Sequence, residues 1–217
     1  MAEPAPRVFL ASRNRKKLGE MQRILSRHVP DVRVLGLDDV APYDEPAETE
    51  PTFEGNAMIK ALAAVRATGL PSLADDSGLC VDALNGMPGV LSARWAGVAD
   101  ADAAAKDRAN NELLLAQLGD VPDERRGAEF RCAVVLALPT DGEPETHTVT
   151  GRMRGRVIRE TRGSGGFGYD VLFCAEGHDV TTAELDAEAK DAISHRGEAL
   201  RAIAPIVADV LGQRTGP

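Results

Sequence analysis

The sequence is poor in the residues that build metal clusters, disulfide frameworks and aromatic surfaces. Its 217 residues include three cysteines, four histidines, two tyrosines and one tryptophan. Cys80, Cys132 and Cys174 lie far apart within apolar, strand-like segments, without a Cys-x-x-Cys pair or a histidine cluster. This pattern implies neither a zinc site nor a disulfide framework. We expect buried, reduced thiols, which are typical of a cytoplasmic protein.

Long apolar runs and an excess of positive charge are also missing. No segment approaches the roughly 20 apolar residues of a membrane-spanning helix, and the polar start, 1–7, lacks the apolar core of a signal peptide. The net charge of −9 indicates no basic surface for a nucleic-acid backbone. We therefore expect a cytoplasmic protein that binds neither membrane nor nucleic acid. Its 43% hydrophobic content suffices for one sizeable core or two joined lobes.

Apolar periodicity predicts strands that alternate with helices. Strands are expected at 8–11, 32–37, 70–74, 79–81, 130–138, 146–149 and 171–173, and helices at about 18–25, 52–65, 102–118, 181 onward and 200–211. The turn residues 139–142 indicate an antiparallel hairpin between two of the strands. Helical crossovers together with a hairpin predict a mixed sheet in an α/β protein.

The segment Asp75-Asp76-Ser77-Gly78 carries the strongest chemical signal. It follows the apolar run 70–74, which predicts a strand that ends there, at the sheet edge where α/β proteins place ligands. Adjacent carboxylates are costly to desolvate, and Mg²⁺ compensates them because it takes oxygen ligands. Glu48, in the acidic loop 38–51, is a candidate second ligand, although most acids in such loops are merely solvated. An Asx-turn or a helix N-cap also suits the tetrapeptide.

The segment Ser12–Lys17 lies between the first predicted strand and the first predicted helix. Amides at a helix N-terminus, two polar side chains and two lysines would make a phosphate-binding cradle. A simple N-cap followed by a basic, solvated turn explains these residues at least as well as a phosphate-binding cradle does. The sequence contains no Gly-x-x-x-x-Gly-Lys-Ser/Thr motif, so this segment is not a P-loop.

The glycine-rich loop 163–168 formally matches Gly-x-Gly-x-x-Gly. It leads into a strand-like run, 169–173, instead of a helix, and we therefore reject dinucleotide binding. What remains is a flexible loop that presents Phe167 and Tyr169 beside Asp170. An aromatic ring can stack on a base and a carboxylate can accept from its N–H groups. Ordinary core packing explains the two rings equally well.

Lys190 and the segment Ser194-His195-Arg196 lie at a predicted junction of two helices. A lysine, a histidine and an arginine so placed could grip a phosphate or a purine edge, with His195 as a switchable donor or acceptor. The alternative is a helix C-terminus whose cations simply complement the helix dipole.

Five motifs occur in one order along the chain: Ser12-x-Asn14-x-x-Lys17, Thr52-Phe53-x-x-Asn56-Ala57, Leu73-Ala74-Asp75-Asp76-Ser77-Gly78-Leu79, Phe167-Gly168-Tyr169-Asp170 and Ser194-His195-Arg196. Each motif is weak alone. Together, from Val8 to about Leu211, they resemble the Ham1-type family of inosine/xanthosine triphosphate pyrophosphatases. The resemblance implies an elongated mixed α/β sheet flanked by helices, with two lobes and a central nucleotide-binding cleft. It further implies a single domain over 1–217 and a homodimer.

The resemblance also implies an activity and a set of site residues. The expected reaction is hydrolysis of ITP, dITP and XTP to the monophosphate and pyrophosphate with Mg²⁺, which removes these nucleotides before they enter DNA or RNA. Asp76 would be the catalytic carboxylate and a metal ligand, Glu48 the second ligand, and Asp75 a member of the water network or a structural residue. The implied substrate-binding residues are Ser12, Arg13, Asn14, Arg15, Lys16, Lys17, Ser77, Phe167, Gly168, Tyr169, Asp170, Lys190, His195 and Arg196.

Two alternatives remain open at this point. The segment 11–16 before a helix also looks like that of Maf-like pyrophosphatases of modified pyrimidine nucleotides, although the Thr-Phe-x-x-Asn and Ser-His-Arg motifs argue against them. A non-catalytic nucleotide-binding regulator is the second alternative. The presence of Asp75, Asp76, Lys17 and Lys190 disfavours it, and a turnover measurement separates the two.

Overall fold

The computed structural model describes residues 5–98 and 100–213. The first four residues, which carry much of the signal-peptide argument, lie outside this range. The strands are β1 (Arg7–Leu10), β2 (Arg33–Leu35), β3 (Ser72–Val81), β4 (Gly127–Leu138), β5 (Glu145–Val157) and β6 (Phe173–Ala175). The helices are α1 (Arg15–Ser26), α2 (Phe53–Thr68), α3 (Ala103–Gln117), α4 (Ala187–Ile193) and α5 (His195–Gln213). Within the described ranges, no helix is both long enough and apolar enough to cross a membrane.

The strands form one mixed sheet in the order β2-β1-β3-β4-β5-β6. β1 pairs in parallel with β2 and with β3, whereas β5 and β6 are antiparallel. Parallel neighbours need helical crossovers, which α1 and α2 supply, whereas β4 and β5 are joined by the short connection 139–144 and are neighbours in the sheet. The expected mixed α/β fold is therefore confirmed.

The chain divides into two compact units. The first comprises Met1–Asp76, Cys132–Gly151 and Arg196–Pro217, and the second comprises Ser77–Arg131 and Arg152–His195. That the two units form a single domain with a central nucleotide-binding cleft stays a prediction.

In the first unit, α1 and α5 pack against one face of the sheet and form a hydrophobic core with its side chains. Met21, Ile24 and Leu25 follow the helical period on α1, and the α5 stripe packs with them against the strands. The remaining buried members of this core include Val8, Leu10, Leu73, Cys132, Val134, Leu136, Leu200, Ile203 and Val207. α2 begins where predicted, because Thr52 Oγ1 accepts from the Gly55 amide at 3.1 Å.

The second unit has its own core, to which α3 contributes one face. Leu114 of α3 and the neighbouring Leu118 pack with strand side chains and with the short 3₁₀ helix Gly168–Leu172. α3 begins as predicted at Asp102, whose Oδ1 accepts from the Ala105 amide at 2.8 Å. Across both units, the three cysteines are free and buried, as the sequence indicated.

The prediction that a strand ends before Asp75 is wrong. β3 runs without a turn from Ser72 to Val81, so both aspartates and Gly78 lie in the middle of a strand. The strand continues because cationic and amide side chains compensate the carboxylates where they stand, and no exposure to water is needed. Its backbone groups are shared with β1 and β4, its neighbours on either side.

Two predictions near the C-terminus are also wrong. The strand predicted at 171–173 begins only at Phe173, because Gly168–Leu172 form a 3₁₀ helix, in which the Asp170 side chain accepts from the Phe167 amide at 2.8 Å and closes a turn. Thr181 and Glu184 do make the expected contact, with the Thr181 amide 2.7 Å from the Glu184 carboxylate. No helix follows them, because the Thr182 amide bonds across to Phe173 at 2.9 Å, and α4 begins only at Ala187.

Candidate active site

The two adjacent aspartates of β3 lie on opposite faces of the sheet. Successive side chains of a strand point to opposite sides, so Asp75 faces the helices α1 and α5, whereas Asp76 faces α2. Asp75 is 1% exposed and Asp76 is 7% exposed. Their neighbouring positions in the sequence therefore place two buried carboxylates in two different electrostatic environments.

Asp75 belongs to a chain of four charged side chains, of which three are buried and Lys17 is partly exposed. Its Oδ2 lies 2.9 Å from Lys17 Nζ and 3.2 Å from Arg196 Nε. Arg196 Nη1 in turn donates to Glu20 Oε2 at 2.6 Å. Because Lys17 and Glu20 are three residues apart on α1, one helix turn supplies both ends of the chain.

The cations around Asp75 decide its protonation. Burial by itself would raise the pKa of Asp75, but Lys17, Arg196 and Lys60 together outweigh burial and hold the pKa well below its usual range. Burial likewise opposes the charge of Arg196, and Asp75 and Glu20 reverse that effect and raise the pKa of Arg196. Asp75 is therefore ionised at neutral pH, in a cluster whose two positive and two negative formal charges cancel.

Asp76 has fewer and weaker partners. Its Oδ2 accepts from Asn56 Nδ2 at 3.2 Å, and its Oδ1 lies 3.6 Å from Lys60 Nζ. Lys60 is held by two stronger contacts, to Glu48 Oε1 at 2.7 Å and to the Asp75 carbonyl at 2.8 Å. Asn56 is itself fixed, since its Oδ1 accepts from the Glu50 amide at 2.9 Å.

The pKa of Asp76 is shifted in the opposite direction to that of Asp75. Burial raises the pKa of Asp76, Lys60 lowers it, and the nearby Glu48 carboxylate raises it again, so that the pKa lies above its ordinary value. A carboxylate with a raised pKa is a stronger proton acceptor than an ordinary aspartate. The geometry thus distinguishes a structural carboxylate, Asp75, from a chemically available one, Asp76.

The segment Ser12–Lys17 caps its own helix. Asn14 is the N-cap of α1, and its Oδ1 accepts from the amides of Lys16 at 2.9 Å and Lys17 at 3.3 Å. Ser12 Oγ accepts from the Asn14 amide at 3.2 Å. Three amides of the expected cradle, those of Asn14, Lys16 and Lys17, thus have partners within the segment, and a phosphate would bind the Lys16 and Lys17 amides only by displacing the Asn14 side chain.

The arginines of this segment point towards the acidic loop. Arg13 pairs with Glu45 at 2.6 Å and Arg15 with Asp38 at 2.9 Å, and both guanidinium groups are exposed. Lys16 is also exposed. Lys17, with a side chain that is 16% exposed, reaches Asp75 of β3.

In the second unit, the structure brings Phe167, Asp170 and Lys190 together. Lys190 Nζ lies 2.5 Å from Asp170 Oδ2 and 5.1 Å from the centre of the Phe167 ring. Thr182 Oγ1 donates to Asp170 Oδ1 at 2.8 Å, which fixes the carboxylate from its other side. Phe167 is half-buried, as a ring available to a ligand must be.

The other predicted residues of this unit are mostly buried. Tyr169 is 4% exposed, and its hydroxyl donates to the Ser92 carbonyl at 3.0 Å, so this ring is a core contact. The His195 ring is buried and stacks on Phe130, with ring centres 4.8 Å apart and planes 10° apart. Ser77 continues β3 at a half-buried position.

Sequence reasoning missed several residues of these clusters. Lys60 and Glu20 were not predicted, yet each has a positional signal: Lys60 lies one turn after Asn56 on α2, and Glu20 lies one turn after Lys17 on α1. Thr182 carries no comparable signal, because it reaches Asp170 from a turn whose path is set by tertiary contacts.

The donor set at Asp76 fits a hard divalent cation. Asp76 and Glu48 both direct carboxylate oxygens at the Lys60 ammonium group, so a positive charge is already stabilised between them. Oxygen ligands of this kind are the ones that Mg²⁺ takes, usually with waters in the remaining positions. Within residues 5–98 and 100–213, no cluster of three or more histidine, cysteine or acidic side chains could hold a metal ion. Two carboxylates are therefore the most that these residues offer.

The carboxylates of β3 are faced by lysines from α1 and α2, and cations and metal-binding carboxylates are the groups that phosphoryl chemistry needs. The Ham1 family model matches residues 8–206, and the chain belongs to the Ham1 family. The chain is 58% identical to a dITP/XTP pyrophosphatase of Nocardia farcinica, over 96% of this chain and 98% of the relative. It is 55% identical to a protein of the same name from Frankia alni, over 94% of this chain and 98% of the relative.

Solved structures give the same result. The crystal structure of a nucleoside-triphosphatase, or dITP/XTP pyrophosphatase, from Mycobacterium abscessus is 51% identical in sequence, with a TM-score of 0.71 over 92% of this chain and 99% of that one. A HAM1 protein from Coxiella burnetii is 39% identical, with a TM-score of 0.80 over 94% of this chain and 98% of that one. The family expected from the five motifs is confirmed.

Proposed function

We propose that this protein hydrolyses the non-standard purine nucleoside triphosphates ITP, dITP and XTP to the monophosphate and pyrophosphate. The observation that carries the proposal is the 58% identity, over 96% of the chain, to a protein named dITP/XTP pyrophosphatase. Such a reaction removes these nucleotides from the pool that supplies DNA and RNA synthesis. The Ham1 family match over 8–206 also sets aside the Maf-like alternative.

In this proposal Asp76 accepts the proton of the attacking water. Its raised pKa makes it a better base than an ordinary aspartate, and the Asn56 amide orients one of its oxygens at 3.2 Å. Asp75 is not suited to this role, because its Oδ2 is paired with Lys17 and Arg196, which hold the carboxylate ionised with a depressed pKa.

Asp76 and Glu48 would hold Mg²⁺, which supplies charge neutralisation for the triphosphate. Lys60, which contacts both carboxylates, offsets part of their negative charge in the absence of the ion. Lys17 is the proposed cation for the phosphate tail, since its ammonium group is partly exposed and is aimed by Asp75. The other proposed tail contacts come from the segment Ser12–Lys16.

Base recognition is proposed for the second unit. Phe167 stacks on the purine, and donors at Lys190 and His195 bond its 6-oxo group. Adenine carries a 6-amino donor instead, so it would leave these donors without an acceptor and bind poorly. Guanine shares the 6-oxo group and must be rejected at its 2-amino group by other contacts. The remaining proposed nucleotide contacts are Ser77, Gly168 and Asp170. Tyr169 and Arg196, whose side chains are bonded to Ser92 and to Asp75 and Glu20, would act only by supporting these contacts.

The test is pyrophosphate release from ITP, dITP, XTP, GTP and ATP with Mg²⁺, with EDTA as the metal-free control. Fast release confined to the first three, and abolished by EDTA, is the expected result. The Asp76→Asn variant should bind ITP and fold normally but turn over about 10²–10⁴-fold more slowly, which is the usual contribution of a general base. An active Asp76→Asn variant would contradict the assignment of the base.

If nucleotides bind without turnover, the protein is a nucleotide-binding regulator and the enzymatic proposal fails. The homodimer and the cytoplasmic location stay predictions. Sedimentation of the purified protein tests the first, and fractionation of cells that express it tests the second.

A further inference from the structure

Two polar side chains of α3 hold one glycine of the aromatic segment by both of its backbone groups. The Gly168 amide donates to Asp107 Oδ2 at 2.8 Å, and the Gly168 carbonyl accepts from Asn111 Nδ2 at 3.0 Å. Asp107 and Asn111 are separated by one turn of α3, so they lie on the same helix face. The roles proposed above require neither residue.

Their burial makes this contact specific. Asn111 is 6% exposed and Asp107 is partly buried, on a helix face that otherwise packs with Leu114 in the core. A polar group in such a position costs free energy unless it is hydrogen-bonded. Moving the Gly168 backbone away from α3 would therefore cost free energy, because Asp107 and Asn111 would lose these hydrogen bonds.

Gly168 in turn sets the direction of the Phe167 ring. Its φ of +63° lies in the left-handed region, which redirects the chain between Phe167 and Tyr169. On one side, the buried Tyr169 hydroxyl is bonded to Ser92, and on the other, the Phe167 amide is bonded to Asp170 Oδ2 at 2.8 Å. With Gly168 fixed as well, the backbone that carries the Phe167 ring is held on both sides.

We propose that Asp107 and Asn111 are positioning residues for base selection. By clamping Gly168 they hold Phe167 in place before the purine arrives, so that binding does not have to order the segment. This inference rests on the proposed function, in which Phe167 stacks on the base. It assigns neither residue a contact with the nucleotide.

The test compares Asp107→Ala and Asn111→Leu with Glu112→Ala, an exposed position of the same helix. Inhibition constants are measured for inosine monophosphate, which carries the base, and for inorganic triphosphate, which does not. Asp107→Ala and Asn111→Leu should each raise the inhibition constant of inosine monophosphate about 10-fold, the usual effect of losing one such bond. The inhibition constant of inorganic triphosphate should not change. Glu112→Ala should change neither constant. Asp107→Asn keeps an acceptor oxygen and should restore most of the lost affinity.

Hydrogen exchange supplies a readout that is independent of binding. The Gly168 amide should exchange slowly in the unliganded protein and at least 10-fold faster in Asp107→Ala, while exchange in the α3 interior stays unchanged. Unchanged protection of Gly168 in that variant would overturn the inference, even if the variant were otherwise impaired.

The outcomes also separate this inference from the proposed function. If the unmodified protein neither cleaves ITP nor binds inosine monophosphate, the proposed function fails and the inference fails with it. If Phe167→Ala weakens the binding of inosine monophosphate but Asp107→Ala and Asn111→Leu do not, the proposed function stands and the positioning role is wrong. Equal weakening of the monophosphate and of inorganic triphosphate would indicate a general loss of structure and would also overturn it.

Discussion

Replacing each of the two adjacent aspartates by asparagine should give opposite results for stability and activity. Asp75→Asn removes the negative charge that Lys17 and Arg196 share, and leaves two buried or nearly buried cations beside a neutral amide. Asp76→Asn removes a charge that burial already disfavours, and the Asn56 contact at this position can be made by an amide oxygen. We therefore expect Asp75→Asn to unfold more easily and Asp76→Asn to lose only its chemistry.

The structure sets the size of the difference. Breaking a buried ion pair by removing one partner costs about 3–5 kcal/mol, because the other partner is left uncompensated. Arg196 keeps Glu20 at 2.6 Å in Asp75→Asn, which favours the lower end of that range. In Asp76→Asn, Lys60 keeps Glu48 and the Asp75 carbonyl, and the raised pKa of Asp76 means that its charge adds no stability. The change there should stay within about 1 kcal/mol.

Urea unfolding followed by circular dichroism measures this contrast, with EDTA present so that no metal contributes. With a slope of about 2–3 kcal/mol/M, the midpoint of Asp75→Asn should fall by roughly 1–2 M, and that of Asp76→Asn by less than about 0.5 M. The two variants are matched controls for each other, since they make the same chemical change at consecutive residues. Equal destabilisation, or a larger loss in Asp76→Asn, would refute the division into a structural and a reactive carboxylate.

Three further predictions follow from the same clusters. The pKa of Asp75 is lower in the folded protein than in the unfolded chain. The ionised carboxylate therefore contributes its full stabilisation above the unfolded-state pKa of about 4, and this contribution is lost as the pH falls below that value. In urea unfolding at different pH values, Asp75→Asn should lack this acid dependence. Lys17→Met should raise KM for ITP about 10–100-fold, the range for one charged hydrogen bond, whereas the exposed Arg7→Met should not. Burial raises the pKa of Cys132 to about 12, so iodoacetamide at pH 8 should label it about 10³-fold more slowly than free cysteine by mass spectrometry; labelling at the free-thiol rate would contradict its burial.

Local patterns predicted the elements whose signals lie in consecutive residues. The Thr52 cap, the Asp102 cap and the apolar stripe of α1 all appear as expected, because capping and amphipathic spacing act within one or two helix turns. The buried thiols were predictable for the same reason, since each lies inside an apolar run. These features depend little on what the rest of the chain does.

The errors arose where distant residues change what a local pattern means. Asp75 and Asp76 look like a turn, and they remain in a strand only because Lys17, Arg196, Asn56 and Lys60 arrive from three helices to compensate them. The sequence around position 75 does not predict those partners.

The same argument explains how far the candidate site was predictable. The motifs predict Asp76 as the catalytic carboxylate and Lys17 as a phosphate contact, and both roles stay predictions. The side-chain period of two sends Asp75 and Asp76 to opposite faces of β3 and gives them different partners, so Lys17 pairs with Asp75. On one face the cations exceed what a single carboxylate needs, and the pKa of Asp75 falls. On the other face, burial raises the pKa of Asp76, and Lys60, which also contacts Glu48, does not offset it. The alternation can be deduced from the sequence once the strand is known, whereas the charge on each face depends on which helices cover it.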